Sequence, residues 1–162
     1  MSVRFDSMSA ASRIWLYPSD RPFTAEETDY ISKRLDRFTA HWLRHGKKLQ
    51  ASYTIRYDQF IILAVDVSQQ QVSGCAIDDS IRLIKEFETK FGLSMTNRLH
   101  VQFRDQEAIR VETLSDFQDC ISAGEVDTNT IVFNNLISSK ADLSDAWEVP
   151  AHSSWHQRFF KQ

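Results

Sequence analysis

The sequence predicts an α+β fold in which helices pack on one face of an antiparallel sheet. Apolar and polar residues alternate in several short segments, as in strands, and apolar residues recur at spacings of three and four in longer segments, as in helices. The first six segments follow the β-α-β-β-α-β order of a ferredoxin-like unit, and a helical extension ends the chain. Another α+β sandwich is the alternative. The 162 residues suit a single domain, expected at 13–162 after a flexible tail at 1–12.

The first strand and the first helix have the clearest local signals. Residues 13–17 are rich in large apolar side chains and are followed by a proline-containing turn, which is typical of a strand. Thr24 and Glu27 match a capping box at the start of a helix. Gly46 suits the left-handed position after its last turn. The predicted buried stripe consists of Ile31, Leu35, Phe38 and Trp42.

A hairpin and a second helix follow. Residues 49–57 alternate like a strand with one wet face, whereas 60–65 are apolar without interruption, as in a central strand covered on both faces. The second helix is expected to end at Gly92, with Glu86 and Lys90 paired on its exposed side. Its predicted stripe consists of Ile77, Ile81, Ile84, Phe87 and Phe91.

The second half of the chain predicts smaller elements. Residues 99–111 form another hairpin, and the capping box at 115–118 opens a short helix that Gly124 ends. A brief strand at 130–133 precedes an aromatic helical segment at 141–160. We expect that segment to dock on the domain, because an exposed aromatic cluster is costly. Its large rings are Trp147, Trp155, Phe159 and Phe160.

The composition excludes several classes of protein. The 19 Lys and Arg against 22 Asp and Glu give a net charge of -3, too weak a field to recruit nucleic acid or an acidic membrane. Residues 1–11 lack the apolar core of a secretory signal, and the longest apolar run, 60–65, is too short to span a bilayer. The two cysteines fit reduced thiols in a cytoplasmic protein. A protein or a small molecule is therefore the expected partner, with self-association allowed.

Chemical motifs are few. The chain contains no GxxxxGK[ST], GxGxxG, HExxH, GxSxG or CxxC motif, so the enzyme classes that carry them are excluded and no cofactor is expected. His41 and His45 stand four residues apart, and so do His152 and His156, as metal ligands on one helix face do. Two ligands are too few to hold a metal ion, so no metal site is predicted.

One glycine differs from the other three. Gly74 lies between a strand and a helix start rather than at a helix end, and Cys75 follows it. A glycine there permits a tight turn and the close approach of a ligand, and a thiol at a helix N-terminus can become a nucleophile. Asp78 and Asp79 oppose this, since two full negative charges outweigh the half charge of a helix end unless Arg82 offsets them. Cys75 is the catalytic candidate because of its place at the helix start, whereas the two acids favour the alternative, in which its side chain packs as a small apolar group.

The candidate ligand-binding residues lie around the same turn or after a strand. They are Asp66, Ser73, Gly74, Asp78, Asn134 and Asn135. Each also has a structural interpretation. Ser73 or Asp78 can cap the helix, and Asn134 and Asn135 can bond their own backbone in a turn.

Several segments together resemble a known family. They are 60–66 (FIILAVD), 73–75 (SGC), 130–135 (TIVFNN), 147–150 (WEVP) and 154–156 (SWH). From residue 13 onward the chain resembles a family of uncharacterised bacterial proteins of about this length, some of them labelled ABC transporter ATPases. The resemblance implies one intact domain. The label conflicts with the sequence, because such an ATPase needs a P-loop lysine and a Walker-B carboxylate.

Two functions follow as expectations. The first is a small α+β domain that acts by binding a protein partner or a small ligand. The alternative is a cysteine-dependent transferase or hydrolase with its site at the turn of Gly74 and Cys75, completed by Asn134 and Asn135.

Overall fold

The protein is α+β and folds as two compact units. The computed structural model describes residues 4–44, 47–68 and 72–160. Unit 1 comprises Met1–Thr96 with Ser138–Ala141, and unit 2 comprises Asn97–Ile137 with Asp142–Gln162. Each unit has its own antiparallel sheet. The boundary between the units falls inside the segment 13–162 that is expected as one domain.

In the described part of unit 1, one strand precedes the first α-helix and four strands lie between the first α-helix and the second. Its elements are β1 (Arg13–Pro18), α1 (Ala25–His41), β2 (Leu43–Arg44), β3 (Lys47–Lys48), β4 (Ala51–Arg56), β5 (Phe60–Val65) and α2 (Gly74–Phe91). The main sheet has the order β1-β5-β4, with both pairs antiparallel, and β2 pairs with β3 separately. Every residue of β5 is fully buried, as its uninterrupted apolar run predicts.

The ferredoxin-like order is not confirmed. β1 and β4 flank β5, as the first three strands of such a unit would. The next strand, β6 (His100–Asp105), belongs to the sheet of unit 2. The outer edge of β1 instead carries an isolated antiparallel bridge between Arg13 and Ser139. The sheet of unit 1 therefore has three strands.

Helix α1 begins as predicted and ends early. Thr24 and Glu27 form the full capping box, and the predicted Ile31 and Leu35 are fully buried. The helix ends at His41, because Trp42 adopts an extended backbone and donates its indole N–H to the carbonyl of Ala76 at 2.9 Å. Gly46, the predicted end, lies outside the described residues, as does His45.

Helix α2 has the predicted ends but a different buried face. Ser73 caps its start, and Gly92 ends it in the left-handed conformation at φ 65°. Ile84 and Phe87 are fully buried, whereas Ile77, Ile81 and Phe91 are only partly buried. The buried face also includes Ala76, Ser80 and Leu83. Ser80 is tolerated there because its hydroxyl bonds to that of Tyr17 at 2.9 Å.

The core of unit 1 lies between the two helices and one face of the sheet. It contains Ile61, Leu63 and Val65 of β5, together with the buried residues of α1 and α2. Within the segment 1–12, expected as a flexible tail, Phe5 and Met8 are buried. The Lys140 ammonium donates to the carbonyl of Met8 at 2.7 Å. Among the described residues, none of the helices has the length and apolar character needed to cross a membrane.

Unit 2 is built on a four-stranded sheet. Its elements are β6, β7 (Ala108–Thr113), α3 (Leu114–Ser122), β8 (Ile131–Phe133), α4 (Asp142–Asp145), β9 (Glu148–Pro150) and two 3-10 helices, Ala151–Ser153 and Trp155–Phe160. The sheet order is β7-β6-β8-β9, all antiparallel. The hairpin at 99–111 is confirmed by β6 and β7.

The helical predictions in unit 2 need correction. The cap of α3 is Thr113, whose hydroxyl accepts from the backbone N–H of Asp116 at 3.0 Å, rather than Ser115. The segment 141–160 contains only one turn of α-helix, then a strand and 3-10 turns. Trp147 in this segment is 1% exposed. The rings of Trp155, Phe159 and Phe160 pack against the unit 2 core around Phe117.

Candidate functional site

A cleft of about 480 Å³ lies along α1 and α2 in unit 1. The two helices run antiparallel, since Arg34 of α1 contacts Glu86 of α2, and Trp42 after the end of α1 contacts Ala76 at the start of α2. The C-terminal end of α1 therefore lies beside the N-terminal end of α2. Their end charges have opposite sign and offset each other, so the side chains decide the charge of the cleft.

Charged side chains from both helices line the cleft. They are Arg34, Arg37 and His41 from α1 and Asp79, Arg82 and Glu86 from α2. Within each helix these positions are separated by three or four residues, which places them along one face. With three guanidinium groups against two carboxylates, the lining has an excess of one positive charge when His41 is neutral.

Arg34 forms a bidentate ion pair with Glu86. Its Nε and Nη2 each donate to the carboxylate at 2.9 Å, and Tyr30 donates its hydroxyl to the same group at 3.2 Å. The Arg34 guanidinium lowers the pKa of the Glu86 carboxyl. Lys90, the predicted partner of Glu86, lies instead over the ring of Tyr30 at 4.7 Å. This pair therefore joins α1 to α2 and forms one wall of the cleft.

Arg82 is held only weakly. It donates to Asp79, one turn earlier on the same helix, at 3.1 Å, with side chains that are 76% and 46% exposed. An ion pair this exposed is worth roughly 0–1 kcal/mol. Arg82 can therefore exchange Asp79 for another anion at small cost.

Arg37 has no acidic partner within the residues that the structure describes. Its side chain is exposed, and its carbonyl accepts the Nδ1–H of His41 at 2.9 Å. Its five guanidinium N–H donors therefore bond to no carboxylate of the described residues.

The floor of the cleft is apolar. It is formed by Phe38, Trp42 and Leu83, of which Phe38 is partly exposed while Trp42 and Leu83 are 2% and 4% exposed. The rings of Phe38 and Trp42 lie 4.9 Å apart. The accessible apolar surface is therefore mainly the ring of Phe38.

The predicted turn residues lie at the start of α2. Ser73 is the N-cap, because its hydroxyl accepts from the backbone N–H of Ala76 at 3.2 Å. Asp78, the other predicted cap, lies within the helix and does not cap it. Cys75 and Asp78 are exposed. Gly74 has no positive φ, and an added Cβ would meet nothing within 4 Å. Neither backbone strain nor crowding by this chain requires a glycine there.

The remaining ligand-binding candidates make local hydrogen bonds. Asp66 accepts from the backbone N–H of Ser68 at 2.9 Å, which lowers the pKa of its carboxyl. Asn134 accepts from the backbone N–H of Leu136 at 3.2 Å, as in an Asx turn. Asp66 belongs to unit 1, together with the turn at 73–78, whereas Asn134 belongs to unit 2.

Asn135 uses both ends of its amide in unit 2. Its Nδ2 donates to Gln102 Oε1 at 2.7 Å, and its Oδ1 accepts from the indole N–H of Trp147 at 2.9 Å. Gln102 and Trp147 are 3% and 1% exposed. The amide of Asn135 thus satisfies two buried polar groups.

Cys120 and His156 are both buried in unit 2. Cys120 is 7% exposed, and burial raises the pKa of its thiol. His156 is fully buried, with Nδ1 2.7 Å from the hydroxyl of Ser154 and its ring stacked on that of Trp155. Across residues 4–44, 47–68 and 72–160, no three His, Cys, Asp or Glu side chains are grouped to hold a metal ion.

Arg34 and Arg37 were not among the predicted site residues. Their spacing of three on α1 was visible in the sequence, but a helix face lined with arginine is usually a solvated face. Only the packing of α1 against α2 places these arginines in one cleft with Arg82. Comparisons of the chain with protein-family models, curated proteins and solved structures found no match.

Proposed function

We propose that this protein acts by binding a small anionic ligand in the cleft between α1 and α2. The observation that carries the proposal is the exposed guanidinium of Arg37, which lines the cleft and has no carboxylate partner among the described residues. A guanidinium binds carboxylate and phosphate oxygens through paired hydrogen bonds. The chemical class of the ligand is therefore a carboxylate or a phosphate.

Binding replaces the ion pair between Arg82 and Asp79 with one between Arg82 and the ligand, and this exchange is favourable. Arg82 releases little free energy on pairing with Asp79, because both side chains are largely exposed. A ligand anion held by Arg37 and Arg82 together gains charge-assisted hydrogen bonds from both helices. The cost of displacing Asp79 is smaller than this gain.

The size of the cleft also favours a small molecule. A volume of about 480 Å³ lies in the range of small-molecule sites, roughly 300–1,000 Å³. Six of its nine lining side chains are charged or titratable, so the lining is more polar than that of most small-molecule sites, which suits a charged ligand.

Thermal unfolding in different anions tests the proposal. Phosphate and sulfate stabilise most proteins because they are excluded from protein surfaces, so the informative quantity is the difference between variants. We expect at least one of phosphate, sulfate, acetate and benzoate to raise Tm more for the wild type than for Arg37→Gln. The matched control is Lys33→Gln, an exposed α1 position outside the cleft, which should respond like the wild type. Equal responses of all three proteins to every anion would overturn the proposal.

A cysteine-dependent transferase or hydrolase is the second candidate. The observation in its favour is that Cys75 is exposed in the first turn of α2. Catalysis requires the thiolate, which a helix N-terminus stabilises. ATP hydrolysis is not proposed, because the chain has no P-loop motif.

A further inference from the structure

We infer that the ligand of the α1–α2 cleft is a small organic phosphate monoester, with its phosphate between Arg37 and Arg82 and its organic group on Phe38. The inference rests on the proposed function and narrows the ligand class. Three features of the cleft lead to it: the direction from which the arginines come, the charge that must be balanced, and the apolar floor.

The two available arginines come from different helices. Arg37 projects from α1 and Arg82 from α2, on either side of the cleft. A carboxylate has two oxygens in one plane, and one guanidinium fork takes one lone pair of each, so a second donor must approach within that same plane. A phosphate monoester has three terminal oxygens in a tetrahedral arrangement, so it accepts from forks that approach from two sides. The arrangement favours phosphate.

The two arginines that can face the ligand favour a dianion over a monoanion. Arg37 has no acidic partner within the described ranges of the chain, and Arg82 loses its partner when its exposed pair with Asp79 opens. Two guanidinium groups then face the ligand, and a phosphate monoester carries about -1.5 to -2 charges at neutral pH, against -1 for a carboxylate. Arg34 stays with Glu86, because that pair has two short hydrogen bonds. Asp79 is the internal anion that the ligand replaces.

The apolar floor of the cleft favours a ligand that carries an organic group over inorganic phosphate. Phe38 presents a partly exposed ring within the cleft, backed by the buried Trp42 and Leu83. An apolar or aromatic group placed on this ring removes apolar surface from water. The phosphate supplies the charge and the organic group supplies the remaining affinity.

Calorimetric titration of the full chain with phenyl phosphate, inorganic phosphate and benzoate tests the inference. Above pH 7 we expect phenyl phosphate to bind most tightly, by about tenfold over benzoate. Arg37→Gln and Arg82→Gln should each weaken phenyl phosphate by about tenfold, whereas Lys33→Gln should leave its affinity unchanged. Asp79→Asn should strengthen binding, because it removes the competing anion.

A second variant isolates the organic group. Phe38→Leu keeps an apolar side chain and should weaken phenyl phosphate while leaving inorganic phosphate unchanged. If benzoate binds as tightly as phenyl phosphate and loses affinity in Arg37→Gln, the phosphate assignment is wrong and the proposed function stands. If no anion binds, or Arg37→Gln binds all three like the wild type, the proposed function fails as well. Weakened binding in Asp79→Asn would overturn the exchange of Asp79 for the ligand.

Discussion

The carboxylate of Glu86 accepts two hydrogen bonds of 2.9 Å from the guanidinium of Arg34, across 52 residues of sequence. The pair joins α1 to α2 beside the proposed ligand site. Its side chains are 26% and 39% exposed, so water screens it only in part. It also keeps Arg34 from competing with Arg37 and Arg82 for a ligand.

A double-mutant cycle should measure this pair. We expect Arg34→Met and Glu86→Gln each to destabilise the protein, with a coupling free energy of about 1 kcal/mol, since bidentate pairs lie at the upper end for partly exposed ion pairs. Denaturant unfolding gives the four free energies. The Asp29–Lys33 pair, with side chains 66% and 70% exposed, is the matched control and should show almost no coupling. Equal coupling in the two cycles would contradict the structural role of Arg34.

Gly74 should tolerate a side chain. Its φ is not positive and an added Cβ meets nothing, so Gly74→Ala should stabilise the protein by about 0.4–1 kcal/mol through the reduced entropy of the unfolded chain. Gly92→Ala is the contrasting variant, because Gly92 has a φ of 65° and alanine is strained there. Urea midpoints compare the two. A loss of stability in Gly74→Ala would show that the turn needs its glycine.

Cys75 should show ordinary thiol reactivity if the protein acts by binding. In the folded chain Cys120 is buried, so early alkylation by iodoacetamide reports Cys75. We expect a rate constant at pH 7 close to that of glutathione, because the side chain of Cys75 is exposed to solvent in the first turn of α2. A wild-type rate at least about tenfold above glutathione would favour the enzymatic candidate.

Asn135 should be required for the stability of unit 2. Asn135→Ala leaves the indole N–H of Trp147 and the side chain of Gln102 without their partner, and both are buried. We expect a loss of about 2–3 kcal/mol, as for other unsatisfied buried groups. Asn134→Ala, which removes only a turn contact, should cost less. Similar small losses of stability in both variants would show that the hydrogen bonds of Asn135 do not stabilise unit 2.

Stability should fall in mild acid because of His156. Burial lowers the pKa of His156 from its ordinary 6.5 to about 4, so the unfolded chain binds a proton between pH 6.5 and 4 that the folded chain does not. The stabilisation is complete above pH 6.5 and is lost as the pH falls toward 4, by up to about 3 kcal/mol.

Urea unfolding across this pH range tests the dependence. The His156→Phe variant keeps an aromatic ring but cannot titrate, so its stability should depend less on pH. His152→Gln, at an exposed position, is the control and should follow the wild type. Parallel pH profiles for wild type and His156→Phe would show that another group is responsible.

The sequence alone determined the local features of this fold. The capping box of Thr24 and Glu27, the left-handed Gly92 and the buried strand β5 were all predicted correctly. A cap depends on hydrogen bonds within one turn of helix, and an uninterrupted apolar run needs burial in whichever sheet it joins. Neither feature requires knowledge of a distant partner.

Which elements pack together was visible only in the folded chain. β6 joins a second sheet rather than the first, and Glu86 bonds to Arg34 on another helix rather than to Lys90 four residues away. Apolar periodicity shows which face of an element is buried, but it does not specify the element against which that face packs. The candidate cleft arises because two amphipathic helices pack side by side, so its arginines become neighbours only in the folded chain.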